Sequence, residues 1–104
     1  EAGALSDLNK AIALKPQNAY LYYCRANLYA HQGNNEKAVA DYTSAIKLDN
    51  RFAEAYFNRG LTYITLDNRS QGVKDLSKAG ELGLYSAYNI IKKNSASATK
   101  KQSK

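Results

Sequence analysis

The sequence has no Met and no Trp, and its 104 residues include only one Pro, one Cys and one His. A single cysteine cannot form an internal disulfide, so no disulfide framework holds the fold together. No apolar stretch approaches the roughly 20 residues that a transmembrane helix needs, and the first residues lack the basic and apolar regions of a signal peptide. The localisation therefore stays unknown. The missing initiator Met leads us to expect a piece of a longer protein.

The residue types that carry most enzyme chemistry are scarce and badly spaced. Cys24 and His31 lie two helical turns apart, about 10 Å by helix rise, which is too far for a nucleophile and its base. One His and one Cys cannot form a recognisable metal site, and Gly80 and Gly83 lack the spacing of a phosphate loop. The acids are scattered near Lys and Arg, a pattern typical of a solvated face. We predict a non-enzyme with no metal, no cofactor and no small-molecule substrate.

The net charge of +6 is concentrated at the C-terminal end. Residues 1–91 contain ten Lys or Arg and nine Asp or Glu, whereas the last thirteen residues contain five Lys and no acid. After Asn94 no apolar residue larger than Ala follows, so we predict a disordered basic tail over residues 95–104. This tail leaves one alternative function open, contact with a polyanion such as nucleic acid or a membrane surface. The near-neutral body is not a basic surface, so nucleic acid is the less favoured partner.

A shift of about 34 residues, a repeat length found in helical arrays, aligns much of the sequence with itself, and each aligned column holds residues of one size class. The columns are Ala4, Ala38 and Gly72; Leu8, Tyr42 and Leu76; Ala11, Ala45 and Ala79; Tyr22 and Tyr56; Arg25 and Arg59; Ala26 and Gly60; and Tyr29 and Tyr63. Within a period these residues recur at spacings of three and four, which indicates helix faces. Turn residues separate the faces. Six helices are predicted, over residues 2–14, 18–32, 35–48, 52–66, 69–82 and 85–94.

Small residues mark the predicted contact between the two helices of a period. Ala26 and Gly60 are expected where the helices cross, because a larger side chain would hold the backbones apart. Tyr22, Tyr29 and Tyr42 would fill the space around the crossing, since close packing alternates large and small side chains. We therefore interpret most of the nine tyrosines as core residues.

The pattern Tyr22-x-x-Arg25-Ala26-x-x-Tyr29 and the Ala-x-x-x-Tyr-x-x-Ala pattern at residues 38–45 resemble the tetratricopeptide repeat (TPR), a helix–turn–helix unit of about 34 residues. A second copy departs from the usual pattern with Gly72 in place of Ala, which is expected to soften local packing. The resemblance implies an all-α fold, a right-handed TPR superhelix (an α-α solenoid) of about two and a half repeats. The implied TPR domain covers residues 1–94, with a half repeat at 1–18, repeats at 19–52 and 53–84, and a capping helix at 85–94.

The half repeat leaves its first helix without a partner. The apolar face of Ala4, Leu8 and Ile12 is then exposed, which predicts self-association through this face. A solenoid needs about three units to bury a continuous core, so we expect further repeats upstream in the parent protein. The chain would then be a C-terminal part of that protein, and the style of its repeats resembles bacterial members of the family.

The resemblance also implies a function, because TPR superhelices are binding scaffolds whose first helices line a concave groove for an extended peptide or a partner helix. We expect the groove positions to have no packing partner inside the repeat. They are Tyr20, Tyr23, Cys24, Asn27, His31, Glu54, Phe57, Asn58, Leu61, Ile64, Tyr88, Ile91 and Lys92. Aromatic rings interrupted by amides suit a peptide ligand, since rings bury side chains and amides pair with backbone groups.

Some TPRs hold a C-terminal carboxylate with a clamp of Lys, Asn and Arg. The resemblance places Asn27 and Asn58 at the two Asn positions and Lys92 at the last basic position. Tyr23 and Tyr88 occupy the other basic positions, so a complete clamp is not expected and a chaperone tail is a less favoured ligand. An Asn58 that only caps a neighbouring helix, or is solvated, stays an alternative. We predict a non-catalytic protein–protein interaction scaffold with a protein or peptide partner.

Overall fold

The computed structural model describes residues 2–93, which form six helices and contain no strand. The helices are α1 (Ala2–Leu14), α2 (Ala19–His31), α3 (Asn35–Leu48), α4 (Ala53–Thr65), α5 (Arg69–Glu81) and α6 over residues 86–93. This confirms the six predicted helices, and the boundaries of α1 to α5 agree with the expected ones to within one residue. Residue 94 and the predicted basic tail at 95–104 lie outside the described residues.

Polar caps and left-handed turn residues set where the helices begin and end. Asn18 is the N-cap of α2, because its side-chain Oδ1 accepts a hydrogen bond from the backbone N–H of Tyr20 at 3.0 Å. After α2, the backbone N–H of Asn34 donates back to the carbonyl of Tyr29 at 2.8 Å. This is a Schellman motif, whose left-handed residue is usually glycine. Gly33 supplies that residue with a φ of 79°.

The equivalent turn after α4 has Asp67 in the left-handed position, with a φ of 62°. The backbone hydrogen bond from Asn68 N to Tyr63 O, 2.8 Å long, is the same as in the first turn. An L-residue with a side chain is disfavoured in this conformation, although Asp tolerates it better than most. The second turn therefore keeps its geometry at a local energetic cost.

The two central helix pairs, α2 with α3 and α4 with α5, pack through small residues as predicted. Ala26 and Ala38 are fully buried at the first crossing. At the second crossing a Cβ added to Gly60 would lie 2.9 Å from the backbone oxygen of Gly72, and one added to Gly72 would lie 2.8 Å from that of Gly60. The expectation that Gly72 softens the packing is wrong, because the two glycines bring the backbones into direct contact.

The first helix, α1, is only partly uncovered because it packs against α2. Ile12 is 9% exposed, so the prediction that its side chain lies on an exposed apolar face is wrong. Leu8 is half-buried and Ala4 is exposed. The open part of the α1 face therefore lies toward the beginning of the helix.

The core consists of two clusters, one for each complete helix pair. Ala26, Ala38 and Tyr42 form the first, and Leu76 and Ala79 of α5 form the second together with Ala87 of α6. Because Ala87 is fully buried against α5, α6 covers the apolar face of the last pair. This placement agrees with the capping role expected for the last helix.

The tyrosines are only in part the core residues that the sequence predicted. Tyr42 is 1% exposed, whereas Tyr22, Tyr29 and Tyr56 are half-buried. Tyr22 donates its hydroxyl proton to the carbonyl of Pro16 at 3.0 Å, and Tyr56 makes the equivalent 3.2 Å bond to the carbonyl of residue 50. Their rings therefore pack on the protein while their hydroxyls tie the first helix of a pair to the loop before it.

Partly buried ion pairs join the helices of the two central pairs, so Asp41 and Asp75 depart from the prediction that the acids lie on a solvated face. Arg25 donates from Nε and Nη2 to the two carboxylate oxygens of Asp41, at 2.7 and 2.8 Å. Arg59 binds Asp75 in the same way at the same distances. Asp41 is 6% exposed and Asp75 is 5% exposed. These bidentate hydrogen bonds raise the pKa of both arginines above the ordinary value of an arginine.

Candidate binding groove

Side chains of α2, α3 and α4 meet at a cluster of amides and phenols. We call it the amide–phenol cluster, and it consists of Tyr23, Asn27, Tyr42 and Asn58. Asn58 Nδ2 donates to Asn27 Oδ1 at 3.0 Å and to the Tyr23 hydroxyl at 3.1 Å. The Tyr42 hydroxyl donates to the same Asn27 oxygen. The structure thus brings together three of the predicted groove residues and anchors them on the fully buried Tyr42.

The hydrogen bonds inside the cluster leave specific polar atoms for a ligand. Both protons of Asn58 Nδ2 and both lone pairs of Asn27 Oδ1 are used. Within residues 2–93, no hydrogen bond engages Asn27 Nδ2, Asn58 Oδ1 or the hydroxyl proton of Tyr23. The half-buried cluster therefore offers two donors and one acceptor in fixed positions. Burial, followed by the nearby Tyr23, raises the pKa of Tyr42, so its phenol stays a proton donor.

Next to this cluster, a cleft of about 410 Å³ opens between the two helix pairs. It is lined by Ala30, His31, Gly33, Asn35, Tyr42, Asn58, Leu61, Thr62 and Thr65. Leu61 is 36% exposed, so the cleft has an apolar side chain on its surface. The amide of Asn58 lies on the wall of this cleft, where an incoming backbone can reach it.

On its other side the cluster continues into an aromatic surface. The Tyr23 ring centroid lies 4.8 Å from that of Phe52 and 6.0 Å from that of Tyr20. Tyr20 is 61% exposed. Tyr20 and Phe52 also line an open cleft of about 700 Å³, together with residues 15–19 and Asp49. Sequence reasoning missed Phe52 as part of this surface, because its repeat column contains Asn18 and Ser86 and shows no apolar pattern.

The predicted groove residues divide into exposed and half-buried ones. The exposed ones are Tyr20, His31, Glu54, Leu61, Tyr88 and Lys92, and the half-buried ones are Tyr23, Cys24, Asn27, Phe57, Asn58, Ile64 and Ile91. The prediction that all of them lack packing partners is wrong. Phe57, Ile64 and Ile91 pack against the second core cluster, and Tyr23 packs against the first. These apolar side chains therefore fill the protein interior more than they line a groove.

The α6 residues assigned to the clamp stand apart from the amide–phenol cluster. The Tyr88 ring lies directly over Gly80, where a Cβ would overlap it. In the described part of the chain, neither Tyr88 nor Lys92 makes a hydrogen bond or ion pair with Asn27 or Asn58. The two Asn positions are therefore assembled, while the expected last basic position is not joined to them.

The described residues contain no group of three or more potential metal ligands of the His, Cys, Asp or Glu type. Cys24 is a free, half-buried thiol. None of the helices in residues 2–93 has the length and apolar character needed to cross a membrane.

Comparison with curated proteins finds low-identity relatives of several kinds. A DnaJ homolog subfamily C member 7 homolog of Dictyostelium discoideum is 29% identical over 83 residues, which cover 76% of this chain and 15% of that protein. A UDP-N-acetylglucosamine–peptide N-acetylglucosaminyltransferase of Giardia intestinalis is 33% identical over 79 residues, covering 76% and 5%. A protein SGT1 homolog of Oryza sativa is 40% identical over 58 residues, covering 56% and 16%. The chain thus spans about a sixth or less of these relatives.

Solved structures show the same fold over most of the chain. The first TPR of Spaghetti (RPAP3), bound to the HSP90 peptide SRMEEVD, matches with a TM-score of 0.85 and 26% identity, covering 92% of this chain and 78% of that one. YrrB, a TPR protein with an unusual peptide-binding site, matches with a TM-score of 0.79 and 24% identity, covering 86% and 47%. The predicted all-α TPR superhelix is therefore confirmed.

Three family models match successive parts of the chain. One described as TPR repeat matches residues 26–67, and two described as tetratricopeptide repeat match residues 8–40 and 53–82. Together these matches run without a gap from α1 through α5, in agreement with the repeat period and the helix-pair architecture. The chain belongs to the tetratricopeptide repeat family.

Proposed function

We propose that this protein-interaction scaffold binds an extended peptide segment across the amide–phenol cluster, and that it does so without catalysing a reaction. The observation that carries the proposal is the bonded pair Asn27 and Asn58, because Asn27 Nδ2 can donate to a backbone C=O and Asn58 Oδ1 can accept from a backbone N–H. Both amides are already held in place by Tyr23 and Tyr42. Preorganisation of this kind favours affinity, because less side-chain entropy is lost on binding.

The aromatic surface next to the cluster supports binding of an apolar or aromatic side chain of the same peptide. Tyr20 and Phe52 line the larger cleft, and the Tyr23 ring joins that cleft to the amides. Aromatic side chains provide a large contact area at a small entropic cost. The ligand would therefore place one backbone unit on the amides and a neighbouring side chain on the rings.

The ligand we propose is an internal peptide segment and not a free C-terminus. Tyr23 and Tyr88 occupy two of the three basic positions of a carboxylate clamp, so these two positions carry no charge. The peptide in the Spaghetti (RPAP3) structure supports peptide binding by this fold in general. A peptide and its C-terminal amide should therefore bind this chain with the same affinity to within about twofold, since no paired charge is lost.

The test begins with peptides selected from a random display library on the wild-type chain. Isothermal titration should then show that Asn58→Ala weakens a selected peptide by about 5-fold to 150-fold, the equivalent of one unpaired buried backbone group. Asn50→Ala is the matched control, because the Asn50 side chain is exposed in a loop and it should leave affinity unchanged. Circular dichroism establishes that both variants are folded.

Two outcomes would count against this function. Equal affinity of the wild type and Asn58→Ala for every selected peptide would show that the amide only bridges α2 and α4. A free C-terminal carboxylate that is required for binding would restore the clamp interpretation, with Lys92 as its cation.

A further inference from the structure

The aromatic surface beside the amide–phenol cluster consists of Tyr20, Tyr23 and Phe52. The Tyr23 ring neighbours both of the others, at interplanar angles of 34° to Tyr20 and 39° to Phe52. Rings tilted by these angles are not stacked flat on one another, and the Tyr20 ring is largely exposed. A ligand in the larger cleft, which Tyr20 and Phe52 line, therefore meets open aromatic faces.

The two clefts on either side of the cluster favour an uncharged ligand. The larger cleft is lined by one cation, Lys15, and one anion, Asp49, which balance each other. Among the described residues that line the smaller cleft there is no Asp, Glu, Lys or Arg. An acidic or basic side chain entering either cleft would lose hydration without meeting an excess of the opposite charge. Charge complementarity thus points to a neutral segment.

The amide–phenol cluster offers a ligand two donors and one acceptor. Asn27 Nδ2 and the Tyr23 hydroxyl can donate and Asn58 Oδ1 can accept, while within residues 2–93 the other hydrogen-bonding groups of the amides pair inside the cluster. An ordinary residue of an extended peptide brings one N–H and one C=O, whereas a proline brings only a C=O. A segment that contains proline therefore matches this cluster with fewer buried N–H groups left unpaired.

Building on the proposed peptide-binding function, we propose that the groove binds a proline-rich segment of a partner protein in the polyproline II conformation. This conformation has no internal hydrogen bonds, so its C=O groups are available to donors, and aromatic-lined grooves are a recurring way to bind it. Two C=O groups accept from Asn27 and Tyr23, and the N–H of a residue between two prolines donates to Asn58. The proline rings pack on the aromatic surface.

Both partners are ordered before they meet. The polyproline II helix is preformed, and the amides are held by hydrogen bonds inside the cluster, so little conformational freedom is lost on binding. The contact also contains no ion pair. The affinity should therefore change by less than about twofold between about 0.05 and 0.5 M salt, a range over which contacts between exposed charges are progressively screened.

Isothermal titration with two synthetic peptides, both capped at their ends, tests the ligand class. One repeats Pro-Ala-Pro units, and the other has serine at every proline position. The first should bind the wild-type chain with a Kd below about 1 mM. The second should bind at least about tenfold more weakly, because it lacks the rings and the preformed helix and adds N–H groups that the cluster cannot pair.

Substitutions of Tyr20 test where the Pro-Ala-Pro peptide binds. Tyr20→Ala should weaken binding about 5-fold to 30-fold, as truncation of an aromatic contact does. Tyr20→Phe keeps the ring and should bind to within about twofold of the wild type. Tyr85→Ala is the matched control and should leave affinity unchanged, because Tyr85 is likewise exposed but precedes α6 and lines neither cleft. Circular dichroism establishes that all three variants are folded.

Equal affinity for the proline and serine peptides would overturn the proline-rich ligand, as would Pro-Ala-Pro binding that Tyr20→Ala leaves unchanged. Failure of the Pro-Ala-Pro peptide to bind would overturn it as well. If proline-free library peptides then bind the wild type and lose affinity in Asn58→Ala, the peptide-binding function stands and only the ligand class is wrong. If no library peptide binds either, both proposals are wrong.

Discussion

Removal of the Asp75 carboxylate should destabilise the fold by about 3 kcal/mol. The two hydrogen bonds from Arg59, at 2.7 and 2.8 Å, are charge-assisted, and each such bond contributes roughly 1.5–3 kcal/mol. The side chains of Arg59 and Asp75 are 17% and 7% exposed. Water can partly solvate the arginine left behind, so we take the low end of the roughly 3–5 kcal/mol lost on breaking a buried pair.

Urea denaturation of Asp75→Ala, followed by far-UV circular dichroism, measures this loss. For a domain of this size, about 3 kcal/mol corresponds to a fall in Tm of about 12–24 °C. Asp7→Ala is the internal control, because Asp7 holds the same repeat position but is exposed, so its removal should change stability by less than about 0.5 kcal/mol. A loss below about 1 kcal/mol for Asp75→Ala would refute the assignment of a stabilising role to the Arg59–Asp75 pair.

Three further substitutions test the close helix crossing, the left-handed turn residue and the buried phenol. Gly60→Ala should destabilise by about 1–3 kcal/mol in urea, because its Cβ would lie 2.9 Å from the Gly72 carbonyl; Gly3→Ala, which meets open space, should not destabilise. Asp67→Gly should stabilise by about 0.5–1 kcal/mol by relieving the φ of 62°, and unchanged stability would show that this turn is unstrained. The raised pKa of Tyr42 means that stability is full below the unfolded phenol value of about 10 and falls above it. Tyr42→Phe should remove that loss in urea titrations between about pH 8 and 11.

The fold was predictable because the repeat supplies its own alignment. Two or three copies of each position distinguish a required small residue, such as Ala26 or Gly60, from a coincidental one. The ion pairs can be predicted in the same way. Arg25 and Arg59 share one column and the aspartates sixteen residues later share another, so a comparison of charged columns is enough to pair them from the sequence alone.

The candidate site was only partly predictable, because a repeat column does not say how far a side chain reaches into the neighbouring pair. The resemblance places Asn27 and Asn58 at the two Asn positions. It does not predict that Asn58 bonds to Tyr23, which depends on how α4 packs on α2, or that Tyr42 bonds to Asn27, which depends on how α3 packs on α2. Phe57 and Ile64 follow the groove pattern but pack against the second core cluster. Ile64 lies over Gly72, where an added Cβ would lie 2.7 Å from its Cγ1 atom.

The amide–phenol cluster is tested most directly by ¹H–¹⁵N correlation spectra of the chain with a library-selected peptide. Our account predicts that the side-chain amide resonances of Asn27 and Asn58 shift on binding, together with backbone signals of α2 and α4. The same spectra should be unchanged at residues 95–104, and deletion of these residues should leave affinity unaltered. Shifts confined to the C-terminal lysines, with the two asparagine side chains unperturbed, would contradict the claim that the groove is the binding site.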